Sequence, residues 1–306
     1  MIGLTRDRLL VALYVALYGL TLLALHIFEH FAPGEALIVL VVLGGVLPAL
    51  AWWLTRHSEC LHLTAHRPAR EAALLVAYLV VVSFVLVFGF DAVHRIEVEP
   101  LHSLSLLAVK LATFVVLPVV LLIEGGGCSA GELFPFSLRG RSLLPALWMS
   151  LAILAMQAVA GRGLRDLQAA RLPASTLLLA APLSFAWLLL EVGLVEEFFF
   201  RALLQERLAS VLGSRWGGLV AGALLFGLVH APGFYLRPAR TMELLGDHPS
   251  LLMAVGYAVV MTSVAGLLMG MLWMRTKNLA VVILVHAAGD WLQGVVPFVT
   301  AFHLPR

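Results

Sequence analysis

The sequence predicts an all-α, polytopic transmembrane bundle of about eight to nine spans, built as a single integral membrane domain over residues 1–306. Three observations predict it. Of 306 residues, 61% are hydrophobic and 12% charged, against roughly 45–50% and 25% in soluble domains. The chain divides into apolar runs of about 20 residues, the length that crosses a hydrocarbon core. Its charged residues fall mainly in the short connections, and no window is polar for long enough to make a soluble second domain.

The runs follow in order. Leu9–Phe28 reads as an uncleaved signal anchor, being too long for a signal-peptide core and lacking a small-residue cleavage site after it. Ala36–Leu54, Ala72–Phe90, Leu104–Ile123 and Leu143–Ala160 make four more, and the Arg-bearing stretch Gly161–Arg171 is expected to lie in the interface. Thr176–Phe200, Trp216–Ala231, Leu251–Met274 and Leu279–Phe302 complete the set. There is no internal repeat and no low-complexity segment.

The balance of Lys and Arg across connections sets orientation. With the N-terminus inside, Arg6, Arg8, Arg56, Arg67, Arg70, Arg139, Arg141, Arg201, Arg207, Arg215, Arg275 and Lys277 are inner. Arg95, Arg162, Arg165, Arg171, Arg237, Arg240 and Arg306 are outer, so the N-in arrangement is favoured. A net charge of +2, spread over short loops, makes no nucleic-acid surface. Cys60 and Cys128 support no disulfide framework.

Ionisable groups at membrane depth mark function, because charge in lipid is expensive. They gather late in the chain: Glu196, Glu197 and Arg201 in VEEFFFRALL, His230 in FGLVHAPG, and His286 and Asp290 in LVHAAGDWL. Gly213–Ser214 is the turn between the sixth and seventh runs. Glu197 stands 16 residues before Gly213 and His230 stands 16 after Ser214, so an antiparallel hairpin places both about 24 Å from the turn. His286 stands eight residues after Asn278, about 12 Å into its own helix. If the polar hairpin tip Gln205–Ser214 projects by about 10 Å, all three lie at one depth in the inner half of the membrane.

Helical phase then sorts the carboxylates. Glu197 and Arg201 form an i,i+4 pair with the acid first, the favoured order. Glu196 is turned about 100° from Glu197, so Glu197 is expected to be structural and Glu196 to face the cavity. Phe226 and His230 share a face, as do His286 and Asp290. Pro232 is expected to end the seventh helix and leave irregular backbone along the cavity, tolerated at this depth only beside protein or water.

These residues carry a likeness. EEFFFR fits E-E-x-x-x-R, FGLVH fits F-x-x-x-H and HAAGD fits H-x-x-x-[N/D], in that order. The set resembles the CPBP family, which comprises CAAX prenyl proteases of type II and bacteriocin-processing membrane proteases. The likeness covers roughly Leu177–Val296; the first five runs carry no motif of it. It implies accessory spans over 1–175, a catalytic core over 176–302, and hydrolysis of a peptide bond near the terminus of a membrane-anchored peptide or protein. Carried over by position, Glu196 and His230 activate water, while His286 and Asp290 stabilise or orient at the scissile carbonyl. Glu197, Arg201 and Phe226 support them. Asp290 stands where many relatives have Asn; an ionised Asp cannot donate to an oxyanion, so Asp290 either orients His286 or is protonated.

The chemistry of the residues agrees. Amide hydrolysis needs a base for water, a stabiliser for the oxyanion and an acid for the leaving amine. A glutamate in a low-dielectric site suits base-then-acid duty. Glu196, His230 and His286 would also make a zinc site with an open fourth position, so zinc as cofactor and a metalloprotease remain open beside metal-free glutamate catalysis. The metal-free version is preferred, because metal ligation would leave no obvious base.

Blander assignments compete. Glu196 could be an interfacial carboxylate, His230 a helix cap, and His286–Asp290 a structural pair. Glu191 reads as structural, and Lys110 pairs with a carboxylate or snorkels. HIFEH, with His26, Glu29 and His30, fits the inverted zincin pattern, and His57, Cys60, His62 and His66 form a second potential metal cluster. Rival functions are a non-catalytic immunity or scaffold protein of the same fold and a proton-coupled transporter. Intact Glu196, His230 and His286 disfavour the first, and the absence of paired repeats disfavours the second. The Arg-rich, Lys-poor composition suggests a bacterial cytoplasmic membrane.

Overall fold

The computed structural model describes residues 2–61, 63, 65–236, 245 and 248–305, the side chains at 2–4 and 140–142 excepted. His62, Arg237, Arg240 and Arg306 lie outside the described residues. The described residues form no strand, and nine of their helices are long and apolar enough to cross a membrane. In chain order the helices of eight or more residues are α1 (Ile2–Glu29), α2 (Pro33–Leu54), α3 (Pro68–His94), α4 (Leu101–Gly126), α5 (Gly140–Ala160), α6 (Gly163–Ala170), α7 (Ala174–Leu212), α8 (Arg215–Leu236), α9 (Leu251–Thr276) and α10 (Leu279–Ala301). All but α6 correspond to the expected runs. The chain is an integral, multi-pass helix bundle.

The largest departure in length is α7, which runs on past Phe200 to Leu212. Its 39 residues would extend roughly 58 Å as an ideal α-helix, about twice the hydrocarbon thickness. Gly213 closes α7 in the left-handed conformation (φ 55°), which a side chain would strain. Ser214 then caps α8 by accepting from Gly217 N at 2.8 Å.

The N-terminal side of the bundle is tied by polar contacts. Lys277 pairs with Glu206, Ser214 with Asp7, and Arg215 with the Met274 carbonyl. Asn278 is bound to the Ser137 backbone through both its amide atoms, at 3.0 and 2.9 Å. Glu132 closes a capping box on Ser129, and hydrogen bonds from the Ser129 backbone and hydroxyl and from His66 hold its carboxyl down to about 2. On the opposite side, Ser250 meets Glu29 and His303 Nε2 donates to the Glu99 carbonyl at 2.9 Å.

Two arginines counted as inner-loop charges are in the protein interior instead. Arg207 is 3% exposed, and its Nε donates to Glu71, itself fully buried, at 2.9 Å. Arg201 is 1% exposed. Each is ion-paired with a buried carboxylate, so neither reports topology. The stretch after α5 folds as α6 and packs on α10: a Cβ on Gly163 would stand 2.6 Å from the Gln293 nitrogen.

Candidate active site

Three helices, α7, α8 and α10, bring the ionisable residues together, and two glycines let them approach. Gly193, three residues before Glu196, faces α10 so closely that a Cβ would lie 2.9 Å from the Ile283 carbonyl oxygen. Gly227, three residues before His230, faces α9; a Cβ there would lie 2.4 Å from the Ala258 carbonyl oxygen. Small residues at such crossings let backbones meet where lipid supplies no hydrophobic drive.

The backbone carrying the two glutamates is unusual. Leu189–Leu194 and Phe198–Gln205 wind as π-helix, with a three-residue α-segment, Val195–Glu197, between them. Widened turns are rare and concentrate at functional sites. The two glutamates stand in separate environments, as expected: Glu196 lines a cavity, while Glu197 is fully buried beside Arg201. What the spacing did not show is that both carboxylates flank His286. Glu197 Oε1 lies 2.6 Å from His286 Nδ1, and Glu196 Oε2 lies 3.8 Å from His286 Nε2.

Glu197 is therefore more than the partner of Arg201. It is fully buried, with Oε2 3.1 Å from Arg201 Nε. That contact is an ion pair rather than an aligned hydrogen bond, since Glu197 Oε2 and the guanidinium nitrogens find no well-oriented partner. The guanidinium also stacks over Phe226 at 4.4 Å, a cation–π contact strengthened by desolvation. Arg201 thus fixes Glu197, and Glu197 fixes the His286 ring. The sequence held no signal for this last link, because it joins residues 89 apart in the chain through non-α geometry.

Asp290 does not orient His286 as one reading of the sequence had it. Its Oδ2 lies 3.7 Å from His286 Nε2, beyond hydrogen-bond length, and its Oδ1 accepts from Gln293 at 3.0 Å. His286 Nε2 instead faces both Glu196 and Asp290 across a gap.

Glu196 and His230 line one cavity of about 350 Å³. Its walls come from α3 (Leu86, Phe90), α4 (Lys110, Phe114), α7 (Glu196, Phe200) and α8 (His230, Phe234). His286 and Asp290 do not line it; they stand behind Glu196. The Phe226 ring lies 5.0 Å from the His230 ring and 6.4 Å from that of His286. His230 Nδ1 sits 2.7 Å from the Phe226 carbonyl oxygen. A carbonyl can only accept, so Nδ1 carries the proton and Nε2 of the neutral ring holds the lone pair.

The regular helix ends at Leu228 and the turn Val229–His230 borders the cavity, as expected. Ala231–Leu236 then resumes helically with Pro232 in its first turn, where its missing N–H is not needed. Pro232 and Gly233 still border the cavity. Lys110 resolves as a paired residue: Nζ donates to Glu191 Oε1 at 2.7 Å, and Trp187 Nε1 donates to Glu191 Oε2 at 3.0 Å.

The metal expectations fare differently. Among the described residues no group of three His, Cys, Asp or Glu is spaced to hold an ion. Glu196, His230 and His286 form no such group, so the zinc version built on them and metalloprotease chemistry are unsupported. In HIFEH, His26 Nδ1 is bound to the Phe31 carbonyl and Glu29 meets Ser250. In the other cluster His66 Nε2 lies 3.3 Å from Glu132, while Cys60 is exposed.

A comparison with protein families locates the likeness on this same stretch. Residues 178–292 match the family model described as type II CAAX prenyl endopeptidase Rce1-like. The matched stretch begins in α7, ends in α10 and contains Glu196, Glu197, Arg201, His230, His286 and Asp290. It is consistent with a CPBP-family intramembrane protease and supports protease activity of the CAAX type in general terms. No curated protein and no solved structure matches the chain.

Proposed function

We propose that this chain is an intramembrane endopeptidase that hydrolyses a peptide bond near the terminus of a membrane-anchored substrate, with residues 176–302 as its catalytic core. The observation that carries this reading is the position of Glu196. It shares a cavity wall with His230 and stands 3.8 Å from His286 Nε2 on its other side.

In this reading a water in the cavity is held between Glu196 and the His230 Nε2 lone pair. Glu196 takes its proton as the oxygen attacks the scissile carbonyl. His286, its ring fixed from behind by Glu197, stands on the far side of Glu196 and orients that carboxylate toward the reacting carbonyl; preorganised electrostatics of this kind contribute most where charge develops. Glu196 then returns the proton to the leaving amine, which balances the hydrolysis without a metal. Asp290 faces the same His286 nitrogen and tunes it without touching the substrate. Residues 1–175 act as accessory spans, of which α3 and α4 supply cavity wall. A bacterial cytoplasmic membrane is the setting that the arginine-rich composition supports.

The test is a proteolysis assay in reconstituted membranes. Glu196→Gln is expected to lower turnover by about 10²–10⁴-fold, the usual contribution of a positioned general base, while helix content is unchanged. A chelator is expected to leave the wild type active. Wild-type cleavage rates in the Gln variant remove the mechanism, and loss of activity with chelator, restored by zinc, returns the metal version.

A further inference from the structure

A second histidine constellation lies away from the proposed active site, where α3 ends and α4 begins. His94 is the last residue of α3 and His102 the second of α4. His102 Nε2 and His94 Nδ1 stand 3.4 Å apart, and the ring centroids 5.3 Å, at an interplanar angle of 68°. Two imidazoles sharing one tetrahedral zinc, each bound at about 2.0–2.1 Å, would have nitrogens about 3.4 Å and centroids about 5.2 Å apart. Both separations agree.

The surroundings of His102 are those of a metal-binding imidazole. Its other nitrogen, Nδ1, lies 2.8 Å from Glu99 Oε1, and a carboxylate behind a ligating histidine fixes the tautomer and raises the ligand's basicity. With Nδ1–H donated to Glu99, the neutral ring turns its Nε2 lone pair to His94. Glu99 is fixed in turn, because its Oε2 accepts from the Ser103 amide at 3.2 Å and the Ser103 hydroxyl at 2.8 Å.

We infer that His94 and His102 form a two-histidine site for a first-row divalent cation of the zinc class, with Glu99 as the carboxylate behind it. No three-residue set completes the shell among the described residues, so the site offers two protein ligands and leaves the remaining positions to solvent. Imidazole suits zinc, copper and nickel better than magnesium or calcium. The site staples the ends of α3 and α4, and both helices carry cavity wall through Phe90 and Lys110. A bound ion therefore braces one side of that cavity. The inference does not depend on the protease reading.

The experiment is a zinc titration of the purified full chain in lipid nanodiscs by calorimetry, paired with the ligand-field spectrum of bound cobalt. Wild type is expected to show one saturable site and slower amide exchange over residues 95–101 when loaded. His94→Asn and His102→Asn should each weaken binding at least tenfold, and Glu99→Gln should weaken it about 10–100-fold. His26→Asn with His66→Asn should leave it unchanged. Absence of saturable binding below millimolar zinc overturns the inference, as does binding that survives both single-histidine variants. If a variant fails to fold, X-ray absorption of the zinc-loaded wild type decides: two imidazole nitrogens at about 2.0–2.1 Å support the site, and fewer overturn it.

Discussion

Helices α1 and α9 are equally apolar, each with a mean hydropathy of 2.1 over its most hydrophobic window, yet 17% of that window is buried within the protein in α1 and 56% in α9. On α1, Leu13, Leu20 and Phe28 are 56–70% exposed and meet lipid. On α9, Leu272 and Trp273 are completely buried. The difference teaches that greasiness does not decide which membrane helices pack. Lipid tails are as apolar as leucine, so association depends on close backbone approach and on polar contacts. The late helices have both: Gly227 and Gly266 let α8 and α9 meet, and the buried charges join α7 to α10. The early helices carry polar links as well, from Asp7 to Ser214, Tyr14 to Ser263, Glu71 to Arg207 and Lys110 to Glu191, but larger parts of their apolar surface stay outside the packed interior.

Four substitutions sharpen this contrast. The largest effect is expected for Glu197→Gln. It leaves Arg201 as a buried, uncompensated cation, which costs about 3–5 kcal/mol, and frees the His286 ring. Detergent-resistant thermal unfolding should shift to lower temperature, and turnover should fall about 10–100-fold through kcat with KM little changed. An unaltered kcat in a stable variant would remove Glu197 as the positioning residue for His286.

A smaller effect is expected at the glycines. Gly227→Ala forces a methyl against the Ala258 carbonyl and should destabilise by about 1–3 kcal/mol. Gly89→Ala on α3, where a Cβ meets nothing within 4 Å, should be neutral or slightly stabilising, since alanine favours helix over glycine. Equal unfolding temperatures for the two variants would break the comparison between packed and lipid-facing helices.

The smallest effect is expected for Asp290→Asn. Its carboxylate is 3.7 Å from His286, too far for a hydrogen bond, so turnover should change by less than about fivefold, some 1 kcal/mol. A loss as large as that of Glu196→Gln would place Asp290 in direct contact with the substrate.

Much of the arrangement was legible beforehand. The nine spans follow from run length, because a bilayer imposes a minimum of apolar residues on any crossing helix. The shared depth of Glu196, His230 and His286 follows from counting residues to Gly213–Ser214 and Asn278. The i,i+4 pairing of Glu197 with Arg201 is local, and local geometry survives into the fold. What was missed has a common source. The phase separation of Glu196 from Glu197 holds, but the contact of Glu197 with His286 joins distant helices and left no local trace. The break expected near Pro232 is there, at Val229–His230, but the proline opens a further helical turn that the sequence did not announce. Arg201 and Arg207 were counted as loop charges because nothing local shows that Phe226 and Glu71 cover them.

The sequence by itself determined that this chain spans a membrane and which late residues carry ionisable chemistry there, since composition and residue spacing act within a single helix. Only the tertiary structure decided that Glu197 grips His286, that Glu196 and His230 share a cavity while His286 stands behind it, and that His94 and His102 face each other nitrogen to nitrogen. Those contacts depend on the crossing distance and rotation of separate helices, and these are fixed by small residues and backbone winding that no count along one helix reveals.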